Sequence, residues 1–189
     1  MTILDRLFRR PEGPDNPQIA ARHLYGAAVR QARAPELFGP GGVPDTVEGR
    51  FEALALHGFL ILHRLKSEGA AGRALAQAYF DTMFEDMDRN LREIGIGDLS
   101  VGKRIKLLAE NFYGRIKSYE DGLDDGTLEA AIGRNLLSES AAGTSTGASP
   151  YAAAVAAYVR REVAGLAAQP FAELAAGRIS FGKPPEHRP

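Results

Sequence analysis

Apolar residues along this 189-residue chain recur every three or four positions, and no stretch sustains the two-residue alternation of a strand. Ile19, Ala20, Leu24, Ala27 and Ala28 mark the buried side of a first helix. Asp15 or Asn16 can cap it, Pro17 suits its first turn, and it ends before Pro35. Pro35 to Thr46 carries three prolines and three glycines and reads as a loop. Asp45 or Thr46 then starts the most apolar helix, running to about Lys66. Val47, Phe51, Leu54, Gly58, Leu62 and Leu65 form one stripe on it, and Leu56, Phe59, Leu60 and Ile61 fill most of its other faces. A helix that is apolar nearly all round belongs in the middle of a bundle.

The densest mixture of acidic, basic and apolar positions follows, between Met83 and Arg115. Ala70 to about Ile94 predicts a helix in which Phe80, Phe84, Met87, Leu91 and Ile94 recur at helical spacing, stopped by Gly95 and Gly97. Ser100 can cap the next helix, where Val101, Ile105, Leu108, Phe112, Ile116 and Tyr119 repeat the same rhythm. Asp124 or Thr127 starts a shorter helix through about Leu137. Fourteen of the 36 residues from Ala141 to Ala176 are alanine, so this end is strongly helix-favouring but is expected to bury little area and to be the weakest-held part. It could pack on its own bundle or exchange with a neighbouring copy, and the oligomeric state is left open.

The fold class predicted is all-α: one helical bundle of about six to seven helices around a central acidic and basic hairpin. An amphipathic arm occupies residues 1–14, the helical domain 15–137, a flexible linker 138–150, the alanine-rich segment 151–176 and a tail 177–189, with Gly182 to Pro189 read as disordered. In the arm, Ile3, Leu4, Leu7 and Phe8 lie beside Arg6, Arg9 and Arg10, so residues 1–10 can touch a membrane surface or a partner.

Composition narrows the function. The net charge is −1 and gives no global drive toward nucleic acid, so no specific nucleic acid partner is expected. There is no cysteine, which excludes disulfides, thiolate metal sites and a cysteine nucleophile. The start lacks a secretory h-region, and the longest apolar run, Ala53 to Leu62, falls short of the roughly 20 residues of a membrane span. These features read as a cytoplasmic protein, peripheral at the inner face of the membrane if the arm engages it.

Several patterns suggest chemistry and then lose it. Gly97 to Arg104 matches GxxxxGK, but a phosphate loop follows a strand and ends in Ser or Thr, whose hydroxyl ligates Mg²⁺; here a helix precedes and Arg104 ends the motif. Asp81, Glu85 and Asp88 share a helix face, yet the chain has no Glu-x-x-His to complete a dimetal site, and a solvated or partner-facing acidic face is the better reading. His57 and His63 are six residues apart and point to different sides of their helix, so each is a core or rim histidine. His23 and His187 have no visible partner in sequence. No nucleophile elbow, triad or zinc motif is present, so no enzyme activity and no cofactor are expected. The basic residues Lys103, Arg104, Lys106, Arg115 and Lys117 are expected to pair with the acidic helix before them. Phe112 and Tyr119 are expected in the core, with Tyr113 the less committed aromatic.

The run from Phe80 to Lys106, FDTMFEDMDRNLREIGIGDLSVGKRIK, with Phe112-Tyr113-Gly114-Arg115 after it, resembles the ubiquinol–cytochrome c chaperone family. The resemblance extends more loosely through Gly42 to Glu52 and covers roughly Ala21 to Leu137. It implies an all-helical, non-enzymatic chaperone for assembly of the cytochrome bc1 complex. Its client would be cytochrome b, nascent or newly inserted, with the ribosome as a further partner. On that reading the partner-binding candidates are Met83, Asp86, Met87, Arg89, Arg92, Asp98, Lys103, Lys106, Tyr113 and Arg115. The competing readings are a helical lipid- or small-molecule-binding protein and a ribosome or RNA adaptor.

Overall fold

A computed structural model describes residues 16–39, 41–137 and 149–186. The amphipathic arm, most of the linker and His187 lie outside the described residues. Among the described residues seven α-helices follow one another: α1 (Pro17–Ala32), α2 (Val47–Leu65), α3 (Gly69–Glu93), α4 (Asp98–Asp125), α5 (Leu128–Leu136), α6 (Pro150–Ala167) and the short α7 (Phe171–Ala175). A 3₁₀ turn, Pro35–Leu37, lies between α1 and α2, and the only pairing of extended residues among those described is the isolated bridge Phe38–Val43. The caps follow local chemistry. The Asn16 side chain accepts from the Gln18 amide at 3.0 Å, and Thr46 Oγ1 accepts from the Gly49 amide at 3.1 Å.

Helix α2 sits in the middle, touching α1, α3, α4, α5 and α6. One side gives Ala53, Leu56, Phe59 and Leu60 to a cluster with Leu128, Ile132 and Val155; the other gives Ala55, Ile61 and Leu65 to a cluster with Leu24, Tyr79 and Met83. The stripe named from sequence is not the most covered side: Val47 is 80 % exposed, because it is the first residue of the helix and precedes the stretch its neighbours enclose. Gly58 allows α4 to approach closely, since a Cβ there would meet the Phe112 ring at 3.1 Å. Polar clasps hold α4 to α2 on either side of that contact. Arg115 donates twice to Glu52, at 2.7 Å each, and Glu120 accepts from Lys66 at 2.9 Å and pairs with His63 at 2.9 Å. Burial opposes ionisation of Glu120, but the hydrogen bonds from Lys66 and His63 outweigh it and hold the carboxyl below its ordinary range.

The alanine-rich end departs from expectation. In α6, Tyr151, Ala152, Val155, Ala156, Tyr158, Val159 and Leu166 are buried. The alanines let α6 approach α2 and α5 closely, while the tyrosines and valines supply the apolar area. Arg64 of α2 completes the end of α6: Nε donates to the Leu166 carbonyl at 2.8 Å and Nη2 to Gln169 at 3.0 Å. Both carbonyls lie at the C-terminal end of the helix, its negative dipole end, where a guanidinium is favoured. The stretch after α7 is not a free tail up to Glu186. The Gly182 amide donates to Glu162 at 2.8 Å, and the Gly182 carbonyl accepts from Gln31 at 2.6 Å.

His57 is fully buried and is a core histidine. Nδ1 lies 2.7 Å from the Ala53 carbonyl, which can only accept, so Nδ1 carries the proton; Nε2, 3.0 Å from the Tyr158 hydroxyl, accepts from it. Tyr158 accepts in turn from Gln31 at 3.1 Å. Burial lowers the imidazole from its ordinary 6.5 to about 4. The unfolded chain therefore takes up a proton that the folded state refuses. Stability from this group is complete above pH 6.5 and falls as pH drops toward about 4. In thermal unfolding followed across that window, the wild type is expected to lose up to about 3 kcal/mol more than His57→Gln does. The buried hydroxyls of Tyr79 and Tyr119 have no hydrogen-bond partner among the described residues. Tyr79→Phe and Tyr119→Phe are expected to be neutral or to stabilise by about 1 kcal/mol in urea unfolding.

Candidate functional site

The hairpin α3–α4 is built by its turn. Gly95, at φ +85°, ends α3: the Gly95 amide bonds the Arg92 carbonyl at 3.0 Å and the Ile96 amide bonds Leu91 at 3.1 Å. Gly97 precedes α4, which opens at Asp98, so Ser100 lies within the first turn and is not the cap foreseen for it. The amides of Ser100 and Val101 already bond the Gly97 carbonyl, and a helix precedes the turn, so the GxxxxGK match has neither the strand nor the free amides of a phosphate cradle.

The ten candidate residues separate into two groups. Met83 and Met87 are buried, facing the Leu24–Tyr79 cluster, and are packing residues and not surface contacts. They fall on the inner side because α1 covers this stretch of α3. Asp86 is half-buried; its carboxylate accepts from Tyr25 of α1 at 2.8 Å, from Asn90 at 3.2 Å and from Arg89. Arg115 is half-buried on Glu52. These four residues hold the hairpin to the body. Arg89, Arg92, Asp98, Lys103, Lys106 and Tyr113 remain at the surface.

The expected acid–base pairing between the two hairpin helices is not what forms. Asp86 pairs with Arg89 and Asp88 with Arg92 within α3, while Lys106–Glu110 and Lys117–Asp121 pair within α4. Arg92 also reaches Asp98 across the turn. Residues three or four apart on one helix are the nearest neighbours available, and the apolar seam of Phe80, Phe84, Ile105, Leu108 and Phe112 separates the charged faces. Pairs of this kind are worth about 0–1 kcal/mol each and leave the charges accessible.

The outer face of α4 carries the most unusual surface. Lys103, Lys106, Leu107, Glu110, Tyr113, Gly114 and Lys117 are exposed and fall within an arc of about 120° at 100° per residue. Leu107 is 55 % and Tyr113 57 % exposed, and Ile94 beside the turn is 73 % exposed. The Tyr113 ring stacks on Phe80 at 5.2 Å, which holds it flat against the hairpin. A Cβ at Gly102 or Gly114 would meet nothing within 4 Å, so no internal contact requires glycine there, although each costs about 1 kcal/mol against alanine in a helix. Exposed apolar groups, an aromatic platform, lysines and bare backbone together suit an extended protein contact. Sequence reasoning named Lys103, Lys106 and Tyr113 but missed Leu107 and Ile94; Leu107 could have been found because it interrupts the polar side of the α4 repeat.

Residues 41–181 match the family described as ubiquinol-cytochrome C chaperone. The match runs past the Leu137 limit seen from sequence and takes in α6 and α7, the part in which no family signal was recognised. Over 124 residues, 65 % of this chain and 62 % of the relative, the chain is 32 % identical to ubiquinol-cytochrome-c reductase complex assembly factor 1 of Xenopus laevis. It is 30 % identical over 122 residues to the Homo sapiens protein of the same description, spanning 41 % of that protein's length. The crystal structure of the Cbp3 homolog from Brucella abortus superposes with a TM-score of 0.77 at 38 % identity, covering 96 % of this chain and 97 % of that one.

The geometry separates stability from surface chemistry. Arg115→Glu places a carboxylate against Glu52 and is expected to cost on the order of 1–2 kcal/mol. Lys103→Glu and Lys106→Glu are expected to stay within about 0.5 kcal/mol of wild type, and Gly114→Ala to stabilise by about 0.5–1 kcal/mol. Denaturant unfolding of the four variants checks the ranking.

Proposed function

The chain belongs to the ubiquinol–cytochrome c chaperone family, and from that premise we propose that it is a non-enzymatic assembly chaperone for the ubiquinol–cytochrome c reductase (cytochrome bc1) complex. The relatives described as assembly factors for that complex carry this reading. The chain spans 62 % and 41 % of the frog and human proteins, so the role is assigned to the shared helical region.

The client we assign is cytochrome b, nascent or newly inserted, received on the outer arc of α4 and the adjoining turn. A membrane protein awaiting assembly presents apolar helices flanked by charged loops. The exposed Leu107, Tyr113 and Ile94 suit the former, and Lys103, Lys106 and Lys117 suit acidic positions in the latter. The buried candidates Met83 and Met87 have no part in this surface. No helix among the described residues is long and apolar enough to cross a membrane. Engagement at the membrane would be peripheral.

Deleting the gene is expected to lower the assembled bc1 complex in the host while other respiratory complexes persist. Unchanged bc1 levels would refute the role. Complementation with Lys103→Glu/Lys106→Glu/Tyr113→Ala is expected to restore protein level but not assembly, and full restoration would remove the α4 arc from the site while leaving the role intact.

A further inference from the structure

A cleft of about 550 Å³ opens between α1 and the segment from Glu173 to Ser180. Arg22, Gly26 and Arg30 stand four residues apart along one line of α1 and form one wall. The other wall brings Glu173, Arg178, Ile179 and Ser180, about 150 residues away in sequence from the first. A Cβ on Gly26 would lie 3.5 Å from Nη1 of Arg30, so that guanidinium lies back along the helix beside Gly26, toward Arg22.

The charges in the cleft are unbalanced. Its one carboxylate, Glu173, is taken by Arg178, with contacts of 2.5 Å and 2.9 Å. Arg22 and Arg30 have no hydrogen-bond or ion-pair partner among the described residues, although other exposed arginines nearby, Arg161 and Arg178, have found one. Two unneutralised guanidiniums beside a third that is already neutralised make a local excess of positive charge, in a chain whose net charge is −1. Ala27 and Ile179 add apolar surface beside the arginines, and Ser180 adds a hydroxyl.

We propose that this cleft binds a phosphomonoester, with Arg22 and Arg30 on the phosphate and the organic part of the ligand over Ala27 and Ile179. A phosphomonoester carries close to two negative charges at neutral pH and can take two guanidinium forks together, where a carboxylate brings one charge. The cleft is within the size range of small-molecule sites and exceeds a bare phosphate, so it admits a substituted one. The same chemistry occurs in the headgroup of phosphatidic acid and in soluble phosphorylated metabolites. The site is independent of the assembly role, since it lies on α1 and the α7 segment and not on the hairpin.

The test uses the full chain with two probes: glycerol 3-phosphate by titration calorimetry, and phosphatidylcholine vesicles with and without phosphatidic acid by flotation. Arg22→Gln/Arg30→Gln is expected to weaken binding at least about tenfold, and added salt to weaken it in the wild type. Glu173→Gln removes the competing carboxylate and is expected to tighten it; changes of opposite sign cannot both come from unfolding. Binding of glycerol 3-phosphate identifies a soluble ligand, and binding of phosphatidic acid vesicles alone identifies a lipid headgroup. Binding to neither probe, or binding that the double arginine variant leaves unchanged, overturns the proposal.

Discussion

Helix α2 has no polar side to turn toward water over its middle turns, because every residue from Ala55 to Ile61 is buried. The remaining helices must therefore enclose it, and their positions follow from how each does so. α1 and α3 close one side and α5 and α6 another, while α4 crosses at Gly58, where the missing side chain admits the Phe112 ring. Burying a large apolar side chain stabilises by about 1.5–3 kcal/mol, several times a surface ion pair, so this enclosure and not the charged hairpin sets the fold.

Polar groups caught inside the enclosure are handled in three ways. His57 is kept neutral and fully hydrogen-bonded between Ala53 and Tyr158. Arg64 is matched by Glu68 and by the Leu166 and Gln169 carbonyls at the end of α6. The Tyr79 and Tyr119 hydroxyls are simply left without partners among the described residues, a cost the rings' apolar contacts offset. The first two arrangements join α2 to α6, which explains how a helix so rich in alanine is held in place.

With the core settled by apolar contacts, the hairpin charges that tie it to the rest of the bundle are Asp86, Arg115 and Glu120. Asp88, Arg92, Lys106 and Lys117 pair along their own helices or across the turn and stay in water. That division leaves an outer face of α4 whose lysines, exposed leucine and tyrosine, and two glycines without internal contacts can vary without disturbing the bundle. The same logic applies to Arg22 and Arg30 on α1, which project away from the core their helix helps to build.

Periodicity alone was enough to place the helices, to put α2 at the centre and Phe112 and Tyr119 in the core, and to reject the phosphate loop, because these depend on spacing and on residue types within one turn or one motif. The central run of residues also carried the family. Tertiary structure decided the rest. It buried Met83 and Met87, sent Arg115 to Glu52 and not to the acidic helix, and drew α6 into the bundle through His57 and Arg64, which lie 101 and 102 residues from the residues they meet, Tyr158 and Leu166. It also brought Arg22 and Arg30 to the segment after α7. Which neighbour a side chain meets across the core depends on how whole helices pack, and a repeat of three and four along one helix holds no information about the helix on the other side.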